Sequence, residues 1–217
     1  VILTASGGPF LHTPIRELGR KTLAEALTHP RWKMGRKVTI DSATMMNKGL
    51  ELLEARWLFD LAPERLRVLI HPQSIVHALV ELRDGSVLAQ LSRTDMRIPI
   101  QYALTFPERR DGPLPPLDLA EVGTLEFFTP DERRFPLLQT ARRVLGEKDS
   151  AAVGMNAANE IAVEGFIEGR LNFTVIGRTV EAILAGLRPR HLESIGDIVD
   201  EDRRVRERAR RMIKKRI

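Results

Sequence analysis

Lys37-Val38-Thr39-Ile40-Asp41-Ser42-Ala43-Thr44-Met45-Met46-Asn47-Lys48-Gly49-Leu50-Glu51 joins a change of period to the densest polar chemistry of the chain. Val38, Thr39 and Ile40 are β-prone, which predicts a short strand over 37–40 leading into Asp41-Ser42. Beyond it Met46, Leu50, Leu53 and Trp57 recur at helical spacing, so a helix is expected with Ser42 as its cap. Asn47, Lys48 and Glu51 fall on a different arc of that helix. A hydroxyl, an amide, an ammonium and a carboxylate thus converge near a helix N-terminus, where free N–H groups and the dipole favour anions. That combination suits a phosphorylated polyol: Lys48 and Ser42 for the phosphate, Asn47 for an oxygen, Glu51 for a metal or a sugar oxygen. The plain alternative is a capped surface helix whose Lys48–Glu51 pair contributes a few tenths of a kcal/mol.

Strand signals surround this stretch. Val1-Ile2-Leu3-Thr4 reads as the middle of a strand and neither as a start nor as a signal peptide, so the chain is taken as a piece of a longer one. Arg67-Val68-Leu69-Ile70 is a second candidate strand. Ile75–Leu82 and Ser86–Leu91 flank Arg83-Asp84-Gly85, a hairpin signal built on Asp-Gly. From Phe106 to Pro136 six prolines punctuate a stretch with little periodicity, which reads as an extended connector. After it the helical period dominates. Leu137, Leu138, Ala141, Val144 and Leu145 form one stripe with Gly146 as its C-cap candidate. A longer helix follows over about 151–167, then a stripe of Ile176, Val180, Ile183, Leu184 and Leu187 capped by Thr174. A basic terminal helix ends the chain. The expectation is an α+β fold: a mixed sheet with flanking helices over 1–105, a Pro-rich connector over 106–135, and a four-helix bundle over 136–217.

The 217 residues are 43% hydrophobic and 29% charged, enough apolar material for a core. The absence of cysteine excludes a disulfide scaffold, a thiolate zinc site and a cysteine nucleophile. No apolar run is long enough to span a bilayer. The net charge of +5 raises nucleic-acid binding, but residues 202–217 alone carry +7, with no aromatic among them to stack on bases. Val205, Ala209, Met212 and Ile213 make that tail an amphipathic helix with a solvated basic face.

Two more segments carry chemistry. In Thr4-Ala5-Ser6-Gly7-Gly8-Pro9-Phe10 the glycines permit close backbone approach to a ligand or simply a turn after a strand. His29-Pro30-Arg31-Trp32-Lys33-Met34-Gly35-Arg36 sets a histidine and an indole among cations, which suits a lid laid over a substrate, or a loop with an anchored tryptophan. His71 and His77 match no metal signature, and no ordering specifies a nucleophilic triad.

Together these segments resemble 1-deoxy-D-xylulose 5-phosphate reductoisomerase. The resemblance rests on Leu3–Phe10, His29–Lys37, Asp41–Glu54, His71-Pro72-Gln73-Ser74 and Asn156-Ala157-Ala158-Asn159-Glu160, in order along the whole chain. It implies conversion of 1-deoxy-D-xylulose 5-phosphate to 2-C-methyl-D-erythritol 4-phosphate with NADPH and Mn²⁺ or Mg²⁺, in non-mevalonate isoprenoid synthesis. By position it implies that Ser6, His29, Trp32, Ser42, Asn47, Lys48 and Glu51 bind substrate. Glu51 and His29 would serve catalysis, Glu51 the metal, and Gly35 the cofactor. It further implies a homodimer in the bacterial cytoplasm or a plastid, with no nucleic-acid or membrane role.

One departure is large. The family begins with a nucleotide-binding domain and a segment bearing two more metal-ligand carboxylates, a substrate-binding serine and a lysine, and none of these is in the 217 residues. Glu51 is left alone of three ligands, so the chain reads as a partial enzyme, inactive by itself. The competing reading is a stand-alone, non-catalytic sugar-phosphate-binding module. The intact mass of the source protein separates the two.

Overall fold

The computed structural model describes residues 1–29, 34–112 and 114–215. Four strands, β1 (Ile2–Ala5), β2 (Arg67–Ile70), β3 (Val76–Glu81) and β4 (Val87–Leu91), form a mixed sheet in the order β2-β1-β3-β4. β1 runs parallel to β2, from Ile2 opposite Arg67 to Ala5 opposite Ile70, and antiparallel to β3. β3 and β4 are the expected hairpin, with Gly85 at positive φ in its turn. Their register slips between Val76 and Ala78, so His77 is the bulged residue, and bulges re-aim side chains. An isolated bridge from Ile70 to Phe128 brings the connector against β2.

The expected strand over 37–40 is a helix. Helix α1 (Leu23–Ala26) opens on a Thr22–Glu25 capping box and is followed by α2 (Arg36–Thr44) and α3 (Met46–Phe59). Ile40 and Ala43 lie in the core and Thr39 and Asp41 are buried beside them, so burial against neighbouring helices overrides the β propensity of Val38-Thr39-Ile40. Ser42 therefore sits in the last turn of α2 and does not cap α3. Met45, at φ 61° in the left-handed region, ends α2 and starts α3 in one residue. Trp57 leaves the buried face expected of it and is 64% exposed, while Met46 and Leu53 are buried.

Helix α4 (Arg97–Thr105) follows the hairpin, and the connector holds only the short α5 (Leu119–Val122). Then come α6 (Pro136–Val144), α7 (Asp149–Ile167), α8 (Phe173–Leu184) and α9 (Ile195–Lys214). Two expected caps differ. Leu145, in right-handed conformation, caps α6 in place of Gly146, and Thr174 lies inside α8, whose N-cap is Asn172. α9 begins seven residues before the basic tail, on a Ser194–Asp197 capping box, and buries Val205, Ala209 and Ile213 as one stripe.

α7 packs against α8 and α9, and these two touch each other. Its Ala151, Gly154, Ala157, Ala158, Ala162 and Gly165 are small, which brings neighbouring helices close. α6 packs chiefly on α3. A Cβ added to Gly49 of α3 would lie 2.7 Å from the Cβ of Ala141, and Arg56 donates to the Leu145 carbonyl at the end of α6. One hydrophobic cluster consequently runs from Phe10 through Ile40, Met46 and Leu137 to Ile213.

Candidate functional site

The carboxyl ends of the parallel pair β1 and β2 release two loops, 6–10 and 71–75, beside the point where β3 joins β1 with opposite polarity. Crevices outside such strand ends are where open α/β sheets place ligands. Here a cleft of 530 Å³ opens, lined among others by Ser6, His29, Ser42, Asn47, Lys48, Glu51, Ser74 and His77. Six of the sequence-derived candidates, from residues 6 to 51, thus line one space.

Each wall has a local cause. Gly8 has φ 65°, and a Cβ there would lie 2.7 Å from the Ser42 carbonyl oxygen, so only glycine lets the 6–10 loop rest on α2. The Ser6 hydroxyl accepts from the Gly8 amide at 3.2 Å. It also lies 3.1 Å from His29 Nε2, which stands 3.1 Å from the Ser42 hydroxyl. One ring nitrogen thereby links the first loop to α2. Burial lowers the pKa of His29, which keeps the ring uncharged near neutral pH.

On α3, Asn47 Nδ2 donates to Glu51 Oε1 at 2.7 Å, and Lys48 donates to Glu51 Oε2. The N-cap Met45 offers α3 no side-chain cap, and the Thr44 hydroxyl instead accepts from the Met46 amide at 3.3 Å; the positive end of the helix dipole there favours an anion. A carboxylate held by an amide and an ammonium, next to a helix start and two serine hydroxyls, can take up a phosphate ester together with a cation.

The sheet supplies residues that the sequence did not single out as site residues. Ser74 lines the cleft at φ 54°, an uncommon conformation for a serine and one that concentrates at functional sites. His77, turned by the bulge, lies 2.9 Å from the Ser92 hydroxyl, and burial lowers its pKa. Thr4 ties the sheet beneath, its hydroxyl donating to the Val76 carbonyl at 2.6 Å. The positive φ of Ser74 and the slip at His77 have no local sequence signature. His71 is spent structurally: it is buried, Nδ1 donates to the Glu126 carbonyl at 2.8 Å, and Nε2 accepts from the Ile75 amide at 3.1 Å.

Gly35 does not join the wall: it is the exposed N-cap of α2. Trp32 lies outside the described residues. The expected lid, 29–36, is therefore seen only at His29 and from Met34 onward. The segment leading to it is pinned by the buried Phe10, Leu18 and Ala26, with Phe10 edge-on to Phe173 at 4.9 Å. Among the described residues no three His, Asp or Glu side chains gather closely enough to hold a metal ion. Glu51 offers a single carboxylate.

Residues 91–208 match the family described as the DXP reductoisomerase C-terminal domain, and residues 1–59 match the 1-deoxy-D-xylulose 5-phosphate reductoisomerase C-terminal domain. The 1-deoxy-D-xylulose 5-phosphate reductoisomerase of Solibacter usitatus is 53% identical over 212 residues, covering 98% of this chain and 53% of that protein. That of Geobacter metallireducens is 51% identical, covering 98% and 56%. A crystal structure of DOX-P reductoisomerase in complex with NADPH, fosmidomycin and magnesium superposes with TM-score 0.89 at 43% identity, over 98% of this chain and 54% of that one. The Zymomonas mobilis enzyme in complex with NADPH does so with TM-score 0.91 at 41% identity, over 98% and 55%. The chain spans about half the length of the curated relatives it matches.

Proposed function

The chain belongs to the 1-deoxy-D-xylulose 5-phosphate reductoisomerase family, and we propose that it is the substrate-binding and C-terminal portion of such an enzyme. The complete protein would convert 1-deoxy-D-xylulose 5-phosphate to 2-C-methyl-D-erythritol 4-phosphate with NADPH and Mg²⁺ or Mn²⁺. The observation that carries this reading is the meeting of Ser6, His29, Ser42, Asn47, Lys48 and Glu51 in one cleft.

In this assignment Lys48 and the Ser42 and Ser6 hydroxyls hold the phosphate at the positive end of α3. Asn47 orients a substrate oxygen. His29, uncharged near neutral pH, accepts a hydrogen bond from a substrate hydroxyl and keeps it in place. Trp32 covers the carbon chain and Gly35 lies toward the nicotinamide. Ser74 and His77 close the wall on the sheet side. Hard divalent cations take about six oxygen ligands, so Glu51 alone does not fit such an ion. Glu51 is assigned as one ligand of a site whose other donors lie in the half of the enzyme outside these 217 residues. When bound, the cation supplies Lewis-acid polarisation and NADPH a hydride.

Residues 1–105 form the substrate- and metal-binding part in this reading, 106–135 a connector and 136–217 a helical support. The complete enzyme is a cytoplasmic homodimer, as the bacterial relatives favour for the location. The exposed Val87, Leu88, Ile100 and Leu104 on β4 and α4 fit a covered face. Among the described residues no helix is long and apolar enough to cross a membrane. Four basic side chains of α9, Arg203, Arg204, Arg206 and Arg211, are engaged in ion pairs, and no aromatic stands among the basic residues to stack on bases, which favours a solvated face over a nucleic-acid role.

The test joins this segment to the missing half. The joined protein is expected to oxidise NADPH only with the sugar phosphate and a divalent cation present. No oxidation under those conditions, by a folded protein, would refute the reading.

A further inference from the structure

Behind the cleft, α2 carries a carboxylate in the protein interior. Asp41 is 1% exposed, one residue before Ser42. Its Oδ1 accepts from Asn159 Nδ2 of α7 at 2.8 Å, and its Oδ2 pairs with Lys37 at 2.7 Å. Asn159 is itself fully buried, and its Oδ1 has no partner among the described residues. Next to it on α7, Glu160 is held by Arg206 of α9, which also grips Asp202 at 2.6 Å.

A buried charge of this kind is poor material for stability, because desolvation offsets most of the attraction it gains. Its better-attested use is to fix one arrangement among several. α2 needs that. It has only nine residues, and of its apolar side chains only Ile40 and Ala43 lie in the core, so a directional polar anchor adds to what fixes its rotation. Successive helix positions are about 100° apart, so the rotation that aims Asp41 at α7 aims Ser42 into the cleft. The same rotation sets the Ser42 hydroxyl 3.1 Å from His29 and the left-handed turn at Met45 from which α3 presents Asn47, Lys48 and Glu51.

We propose that Asp41 and Asn159 are positioning residues of the cleft: their buried bond clamps α2 to α7, so the C-terminal helices set the geometry of the phosphate-binding wall without touching the substrate. This rests on the cleft being the sugar-phosphate site. The mechanism is orientation, and its loss appears first in substrate affinity.

The test uses the complete enzyme with Asp41→Asn, Asn159→Ala, the exchange Asp41→Asn with Asn159→Asp, and Lys48→Ala, each assayed for kcat, both KM values and Tm. Asn159→Ala is expected to raise the KM for the sugar phosphate about tenfold while leaving the KM for NADPH within about twofold. The exchange, which restores a carboxylate–amide pair, is expected to recover most of that loss. Asp41→Asn conserves shape and serves if Asn159→Ala does not fold; it is expected to raise the same KM. A sugar-phosphate KM within about twofold of wild type in Asp41→Asn and in every folded Asn159 variant, whatever happens to Tm, overturns the proposal. So does a raised KM that the exchange leaves unrepaired. If Lys48→Ala is also silent, the assignment of the cleft has failed with it. If Lys48→Ala raises KM and the pair does not, only the positioning role has failed.

Discussion

Lys48 donates to Glu51 one turn further along α3, so the ammonium assigned to the phosphate and the carboxylate assigned to the metal neutralise each other across the same wall. They share a turn but should fail differently. Lys48 meets a charge present in substrate and transition state alike, so in the complete enzyme Lys48→Ala should mainly raise KM, by about 2–3 kcal/mol. Glu51→Gln should lower kcat heavily and raise the Mg²⁺ or Mn²⁺ concentration needed for half-maximal rate. Were the two merely a surface pair, each change would cost at most about half a kcal/mol and leave kinetics alone. Steady-state kinetics with a metal titration on each variant decides between these outcomes.

His29 and His77 make stability depend on pH in a defined direction. Burial lowers both pKa values from 6.5, so below that value the unfolded chain binds more protons than the folded one. Their contribution is present above pH 6.5 and is lost as pH falls through the lowered folded values. Calorimetric Tm of the chain should therefore decline on acidification from about pH 7 to about pH 5, and less steeply in His29→Gln and His77→Gln. Equal slopes in wild type and both variants would contradict the assignment.

Gly8→Ala should damage the cleft more than the fold. A methyl group would meet the Ser42 carbonyl at 2.7 Å while the backbone stays at positive φ, which displaces the Ser6 loop from α2. The expected cost is about 1–3 kcal/mol in stability, with a larger proportional fall in kcat/KM of the complete enzyme. Denaturant unfolding and kinetics on the same preparation check it.

Gly49→Ala reverses the usual propensity argument. On an open helix the change gains about 1 kcal/mol, but here the new Cβ would lie 2.7 Å from that of Ala141 and force α3 from α6. Overpacking of this kind costs about 1–3 kcal/mol. Pairing the change with Ala141→Gly should recover most of it, as urea midpoints would show.

The 217-residue chain by itself should oxidise no NADPH with the sugar phosphate and Mg²⁺ or Mn²⁺. It matches only about half of its relatives' length, and its described residues gather no metal cluster. Turnover by the purified chain would falsify that expectation.

What was legible in the sequence was legible because the signal is local. Asp84-Gly85 placed the hairpin, and the stripe of Val205, Ala209 and Ile213 placed the last helix. The cluster of Ser42, Asn47, Lys48 and Glu51 was visible because its members are close in the chain. Other features needed the tertiary structure. Val38-Thr39-Ile40 is β-prone alone, yet helical once Ile40 is buried among α2's neighbours. Ser74 and His77 enter the cleft through a left-handed residue and a slip in strand register, both imposed by how β3 must meet β1 and β4. Asp41 and Asn159 lie 118 residues apart, so no local pattern joins them. Sequence by itself determined which side chains had the chemistry for a phosphorylated ligand. Folding decided which of them share a wall, because packing of α2 between α3 and α7 acts between residues that no local period connects.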